Sequence, residues 1–297
     1  MKVWHQVEAD QLPLRLDRMV VEAFERFPTR ASARKAIKRG EVLLNGEAAE
    51  SSRFMKEGDI VEILASRRHV PKLDLELKVW HEDDHVAVVD KPGGMETSGS
   101  KFYVLEHALP GNLTPSTQPD ALPAPRVAHR LDYGTSGLVV CGKTASAHAA
   151  LGRSFQAREV FKRYRAIVAG RLEEDVSVDQ PLDGREARSR VVVLEHTRSL
   201  HIGWETTVDL LPETGRTHQL RRHLAGLGHP VLGDRQYTEG KVLHGQGLFL
   251  CAVELRLAHP FGGELHVVRE EPARFKSFRA REERRFKRWE EASSQPA

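Results

Sequence analysis

Strand-like runs that succeed one another with little helix between them narrow most sharply the folds open to this 297-residue chain. From Glu76 onward, short β-branched and aliphatic runs stand at 79–80, 86–90, 138–141, 164–168, 191–194, 206–211, 248–257 and 264–268. Helical spacing lies between them at 145–156 and 217–227. Each parallel pairing would need a crossover of a dozen or so residues, usually a helix. The order therefore predicts an α+β fold: a mixed, largely antiparallel sheet with flanking helices. Residues 110–125 hold five of the fifteen prolines and read as a loop. A tail over 275–289 sets Phe275, Phe278, Phe286 and Trp289 on one helical face, as in a helix docked on the body. No internal repeat is visible.

Ahead of this body, residues 14–64 read as a compact module. Apolar residues recur at helical spacing over 17–24, and Thr29 offers an N-cap to a second helix that runs to Lys38 and stops at Gly40. A strand over 41–44 ends in an Asn45-Gly46 turn, and 58–64 closes the unit. Between Arg15 and Arg39 stand eight basic residues and three acidic ones, although the whole chain carries only +3. Arg34/Lys38 and Lys35/Arg39 stack like charge one turn apart, which is unfavourable unless an anion meets the stripe. Such a local surplus is the footprint expected where a phosphate backbone docks.

The module resembles the small RNA-binding domain shared with ribosomal protein S-four. The likeness is carried by Arg15-Leu16-Asp17, the basic helix, Gly40-Glu41-Val42, Asn45-Gly46 and Gly58-Asp59. It implies a small α/β RNA-binding domain over 1–65, with Arg34, Lys35 and Lys38 toward RNA. Residues 66–75 then form a polar linker, and 76–297 form the larger domain with its helical tail.

At 40% hydrophobic and 29% charged residues, the composition is that of a globular protein. No apolar run approaches the roughly 18–20 residues of a membrane span, and the N-terminus lacks the apolar core of a secretory signal. Cys141 and Cys251 sit in apolar runs and read as buried thiols, so a reducing cytoplasm fits. The fifteen histidines show no metal-ligand spacing, and none is read as a ligand.

Three segments carry the candidate chemistry. His129-Arg130-Leu131-Asp132-Tyr133-Gly134-Thr135-Ser136-Gly137 places one carboxylate two residues after a basic pair, before residues that turn the backbone sharply. Taken alone, Asp132 reads as a turn former or a helix cap. The second segment, Phe161 to Val168, is a strand whose alternation sets Tyr164 on one face with Ala166 and Val168. The third, Gly215-Arg216-Thr217-His218-Gln219-Leu220-Arg221, is a glycine turn into a helix anchored by Leu220 and Leu224.

In this order the segments resemble the pseudouridine synthases of the RluA type, the large-subunit ribosomal RNA class. Lys91-Pro92-x-Gly, and Gly228-His229-Pro230 continuing to Gly233-Asp234 and Tyr237, match two further family segments. The likeness covers nearly the whole chain and implies an RNA pseudouridine synthase without metal or cofactor. It implies that Asp132 initiates the reaction by attacking the sugar or the ring, or by assisting elimination. Arg221 would hold and orient that carboxylate. Tyr164 would stack on the base and help remove the proton from ring carbon five. Leu220, where the family usually has Ile, would wall the pocket. Arg130 would fill the space left by the flipped base, and His129 would contact RNA or support the loop. Ribosomal RNA is the expected partner and a monomer the expected state. Transfer RNA as substrate, or an RNA-binding protein without activity, are the alternatives.

Overall fold

A computed structural model of the chain describes residues 3–64, 72–239 and 245–294. The linker read at 66–75 falls largely outside these.

Residues 3–64 form a three-stranded sheet carrying two helices. The strands β1 (Val3–Gln6), β2 (Val42–Leu44) and β3 (Ile60–Ile63) stand in the order β1-β3-β2. The helices are α1 (Leu16–Ala23) and α2 (Arg30–Lys38). The Thr29 hydroxyl accepts from the Ser32 N–H at 3.1 Å, the cap expected of it. Leu16, Met19 and Val20 of α1, Ala33, Ala36 and Ile37 of α2, and Val42, Val61 and Ile63 of the sheet make one core. Strand β1 was not legible beforehand, because four residues with an exposed Trp4 carry no period of their own until β3 pairs with them.

The remaining strands form one ten-stranded sheet. In chain order they are β4 (Val79–Glu82), β5 (Val86–Lys91), β6 (Ala121–Val127), β7 (Ser136–Thr144), β8 (Phe161–Ala169), β9 (Val176–Val178), β10 (Ser189–Ser199), β11 (Gly203–Pro212), β12 (Leu250–Ala258) and β13 (Glu264–Val268). The spatial order is β4-β5-β7-β12-β8-β11-β10-β9, with β6 paired to β7 and β13 to β12. The sheet is largely antiparallel, as expected; among the paired strands described, β7 and β12 alone run parallel. Helix α3 (Leu105–Asn112) covers Ala87, Val89, Val139 and Cys141 on one face. Helix α4 (Ala145–Gln156) covers Val86, Val88, Leu138 and Val140 on the other. Burial on both faces explains why β5 and β7 read as continuous apolar runs. Helices α5 (Gln219–Gly226) and α6 (Ala273–Ser293) complete the core beside β8, β11 and β12.

Two expectations need correction. The proline-rich 110–125 stretch is a loop only over 113–120, with Pro115 and Pro119; Pro110 lies within α3, and Pro123 and Pro125 lie within β6. Strand β6 pairs only with β7, and its register breaks between Ala121 and Arg126, so both prolines sit where no ladder bond is required of them. The tail docks chiefly by its first half, and Phe286 adds a contact with Arg198 of β10. Phe275 and Phe278 pack against Phe249, whereas Phe286 meets an exposed Trp289 at a tilt. No helix among the described residues is long and apolar enough to cross a membrane.

Candidate active site

The central strand decides the site. Ala252 of β12 pairs with Gly137 of β7 on one side and with Tyr164 of β8 on the other. The loop bearing Asp132 enters the sheet at Ser136, one residue before Gly137, so it lies one strand from Tyr164. The approach at Gly137 is close. A Cβ there would stand 2.6 Å from the Ala252 nitrogen and nearer still to its carbonyl, and φ is +115°. Only glycine fits.

The Asp132 loop is tied down from beneath. The buried Lys91 donates to the carbonyls of Pro92 (2.9 Å), Met95 (2.7 Å) and Tyr133 (3.4 Å). Thr97 bonds both the carbonyl (2.9 Å) and the N–H (3.0 Å) of Leu131. Burial brings Lys91 down to about 8, against the opposing pull of Asp132 and Asp90. The lysine was noted in the sequence only as part of a motif, and Thr97 not at all.

Helix α5 brings Arg221 to this loop. The nearly buried guanidinium grips Asp234 through Nε (2.6 Å) and Nη2 (2.8 Å), leaving Nη1 3.7 Å from Asp132 Oδ2. Burial would raise Asp234; the Arg221 hydrogen bonds outweigh it and hold the carboxyl below its usual range. His218 stands with its Nε2 3.9 Å from Asp132 Oδ1 and its Nδ1 2.9 Å from the Tyr237 hydroxyl. It occupies left-handed backbone (φ 55°) at the helix start. Asp234 and Tyr237 had been matched to a motif without a role, since their partners lie some 13 to 19 residues away.

A cleft of about 520 Å³ opens over these groups, lined by His129, Arg130, Asp132, Lys162, Tyr164 and Leu220 among others. Five of the residues given a role in the sequence, His129, Arg130, Asp132, Tyr164 and Leu220, thus share one cavity, and Arg221 meets Asp132 at its edge. Tyr164 packs partly buried between two cores. That burial, and next the charge of Asp132, push its phenol up, so it is protonated at neutral pH. Burial also lowers Lys162. His129 stacks on Phe155 at 4.5 Å and its Nε2 accepts the Val140 N–H at 3.2 Å. Enclosure brings this imidazole down to about 3, neutral at physiological pH. The ring packs against Phe155 and β7 and also lines the cleft, while Arg130 stands exposed at the mouth.

Arg34 lies elsewhere, on α2, and it does not meet solvent as a free charge. Its Nε contacts the buried Asp17 of α1 at 2.6 Å, and Arg30 joins from 3.1 Å. The anion that the basic stripe called for is partly internal. Lys35 and Lys38 are exposed and have no ion-pair partner among the described residues. No group of three His, Cys, Asp or Glu side chains among the described residues is placed to hold a metal ion.

The site is a cleft in which one carboxylate stands beside a guanidinium that a second carboxylate holds in place. Residues 85–226 match the RNA pseudouridylate synthase family model. A protein named "Uncharacterized RNA pseudouridine synthase" from Aquifex aeolicus (strain VF5) is 34% identical over 299 residues, covering 89% of this chain and 92% of that one. "Ribosomal large subunit pseudouridine synthase D" of Xanthomonas campestris pv. campestris is 33% identical, covering 84% and 83%. The solved structure "Human RNA Pseudouridylate Synthase Domain Containing 1" superposes with a TM-score of 0.57 at 27% identity, over 66% of this chain and 84% of that one. The chain belongs to the RNA pseudouridine synthases, isomerases of uridine in RNA.

Proposed function

We infer that this enzyme converts specific uridines of large-subunit ribosomal RNA to pseudouridine, with Asp132 as the initiating carboxylate. The substrate class rests on relatives such as the Xanthomonas protein, whose name specifies the ribosomal large subunit. One observation carries the chemistry: Arg221, locked by Asp234, aims its remaining nitrogen at Asp132 on the floor of a cleft that Tyr164 also lines. A guanidinium fixed in advance orients a carboxylate without reorganising during the reaction.

The uridine leaves its stack, enters the cleft and lies against Tyr164 and Leu220, while Arg130 at the mouth takes the vacated space in the RNA. A phenol held protonated favours stacking over removal of the carbon-five proton. The residues of one chain complete the cleft, in keeping with a monomer, and a ribosomal RNA substrate puts the enzyme in the cytoplasm. The 3–64 unit supplies a second RNA contact through Lys35 and Lys38.

Tritium release from ring-labelled uridine in ribosomal RNA tests the assignment. Wild type releases tritium, and Asp132→Ala releases none above background. Undiminished release by the variant removes Asp132 from the mechanism. Release from transfer RNA alone changes the substrate.

A further inference from the structure

One rim of the cleft carries guanidinium groups that the isomerisation itself does not require. Glu186 is met by three of them. Arg158 Nη1 lies 3.1 Å from Oε2, Arg188 Nη2 lies 3.0 Å from Oε1, and Arg216 Nε donates to the backbone carbonyl at 2.9 Å. One carboxylate against three guanidiniums leaves an excess of two positive charges. Arg158 and Arg188 are about half exposed. Arg158 and Arg216 line the same cleft as Asp132, together with Arg130 and Lys162.

The cluster is built into the fold. Asp183 (φ 52°) and Gly184 (φ 70°) form a tight turn, and Arg222 of α5 grips Asp183 at 2.8 and 3.0 Å. Arg188 donates its N–H to Thr214 Oγ1 at 2.9 Å, and its carbonyl accepts from Gln219 Nε2 at 2.8 Å. The segment bearing Glu186 and Arg188 is thus fastened to the turn and helix that carry Arg216 and Arg221. Arg158, just past the end of α4, holds φ +62°, a conformation that helix ends usually give to glycine. In that conformation the Arg158 side chain reaches Glu186 at the cleft rim.

We propose that Arg158, Arg188 and Arg216 form a phosphate clamp that grips the RNA strand beside the flipped uridine, with Glu186 as an internal counter-ion that phosphate displaces. The proposal rests on the RNA reading above and adds the place where the backbone is held. Planar guanidiniums match phosphate oxygens two at a time. Their pairing with an exposed carboxylate is weak enough to exchange. Holding the side chains in position beforehand lowers the ordering penalty when RNA arrives. Glu186 also sets a ceiling, because it cancels one of the charges that RNA would otherwise meet.

Binding of labelled poly(U) to the full-length protein across a salt titration tests the clamp. Arg158→Ala and Arg188→Ala each weaken binding several-fold and make the log–log salt slope shallower by about one. Glu186→Gln does the opposite, tightening binding and steepening the slope. Arg188→Lys restores the slope but only part of the affinity, since a point charge lacks the paired geometry. An ion pair that merely pins the 182–188 turn predicts otherwise: Glu186→Gln would lower the melting temperature and leave the slope unchanged, and that result overturns the clamp. Tritium release separates the two proposals. Isomerisation with RNA affinity indifferent to all four substitutions removes the clamp and leaves the reaction. The expected salt responses without isomerisation by wild type remove the reaction and leave the clamp.

Discussion

Replacing Asp234 by Asn tests the geometry of the site most directly, because Asp234 touches Arg221 while lying outside the family-matched 85–226 stretch. Arg221 is 8% exposed and Asp234 1%, so removing the carboxylate leaves a nearly buried guanidinium with Asp132 as its remaining carboxylate at 3.7 Å. Breaking such a pair from one side costs about 3–5 kcal/mol, and the retained amide oxygen puts this substitution near about 3. For a unit of roughly 220 residues, that lowers the melting temperature by about 6–12 °C. The freed guanidinium then turns toward Asp132, and a shift of about 1 Å at the reacting centre lowers kcat by about 100-fold. The pH dependence has a definite sign. A carboxyl held low by its partner contributes stability that is full above the unfolded value of about 3.9 and is lost as pH falls through the lower folded value. The gap between wild type and variant is therefore open at pH 7 and closes in acid. Thermal melts across pH and single-turnover tritium release measure both effects. A folded variant with wild-type kcat and an unchanged melting temperature would refute the claim that Asp234 positions Arg221.

Other perturbations follow from the same structure. Glu205 is buried beneath α6; burial, and then the nearby Glu282 charge, bring it up to about 7 while the Ser199 hydroxyl opposes. A raised carboxyl makes the fold lose stability as pH climbs from about 4.3 through about 7, by about 3 kcal/mol in all. Glu205→Gln therefore raises the melting temperature at pH 8 and changes it little at pH 4; equal effects at both would contradict the burial argument. Gly137→Ala should destabilise by about 3 kcal/mol or more through contact with Ala252. Gly152→Ala, in the middle of α4 with nothing near the added methyl, should stabilise by roughly 0.5–1 kcal/mol. In the N-terminal unit, Lys35→Ala with Lys38→Ala should flatten the salt dependence of RNA binding, whereas Arg34→Ala should chiefly lower stability by freeing Asp17.

Much of this architecture was legible because it follows local rules. The alternation of Val86 to Val89 and of Leu138 to Cys141 fills two opposite cores, and the spacing of Leu220 and Leu224 seats α5. The helix over 145–156 matched α4 residue for residue. What escaped were features whose partners are distant. Strand β1 exists through β3, and the strand character of Pro123 and Pro125 depends on β6 having one neighbour.

Within the site, the segments bearing Asp132, Tyr164 and Arg221 were legible as a turn, a strand and a helix, and the resemblance supplied the roles expected of those residues. Their chemistry depends on side-chain identity, and sequence records identity directly. Tertiary structure decided their mutual placement: β12, drawn from late in the chain, lies between β7 and β8 and sets Gly137 and Tyr164 on either side of Ala252. It also decided which charges are free. Arg34 and Arg221 look alike as helical arginines, yet each is locked to a carboxylate, Asp17 and Asp234, across a distance that no local period reports. Pairing and burial are properties of the packed chain, because both depend on which groups the fold has removed from water.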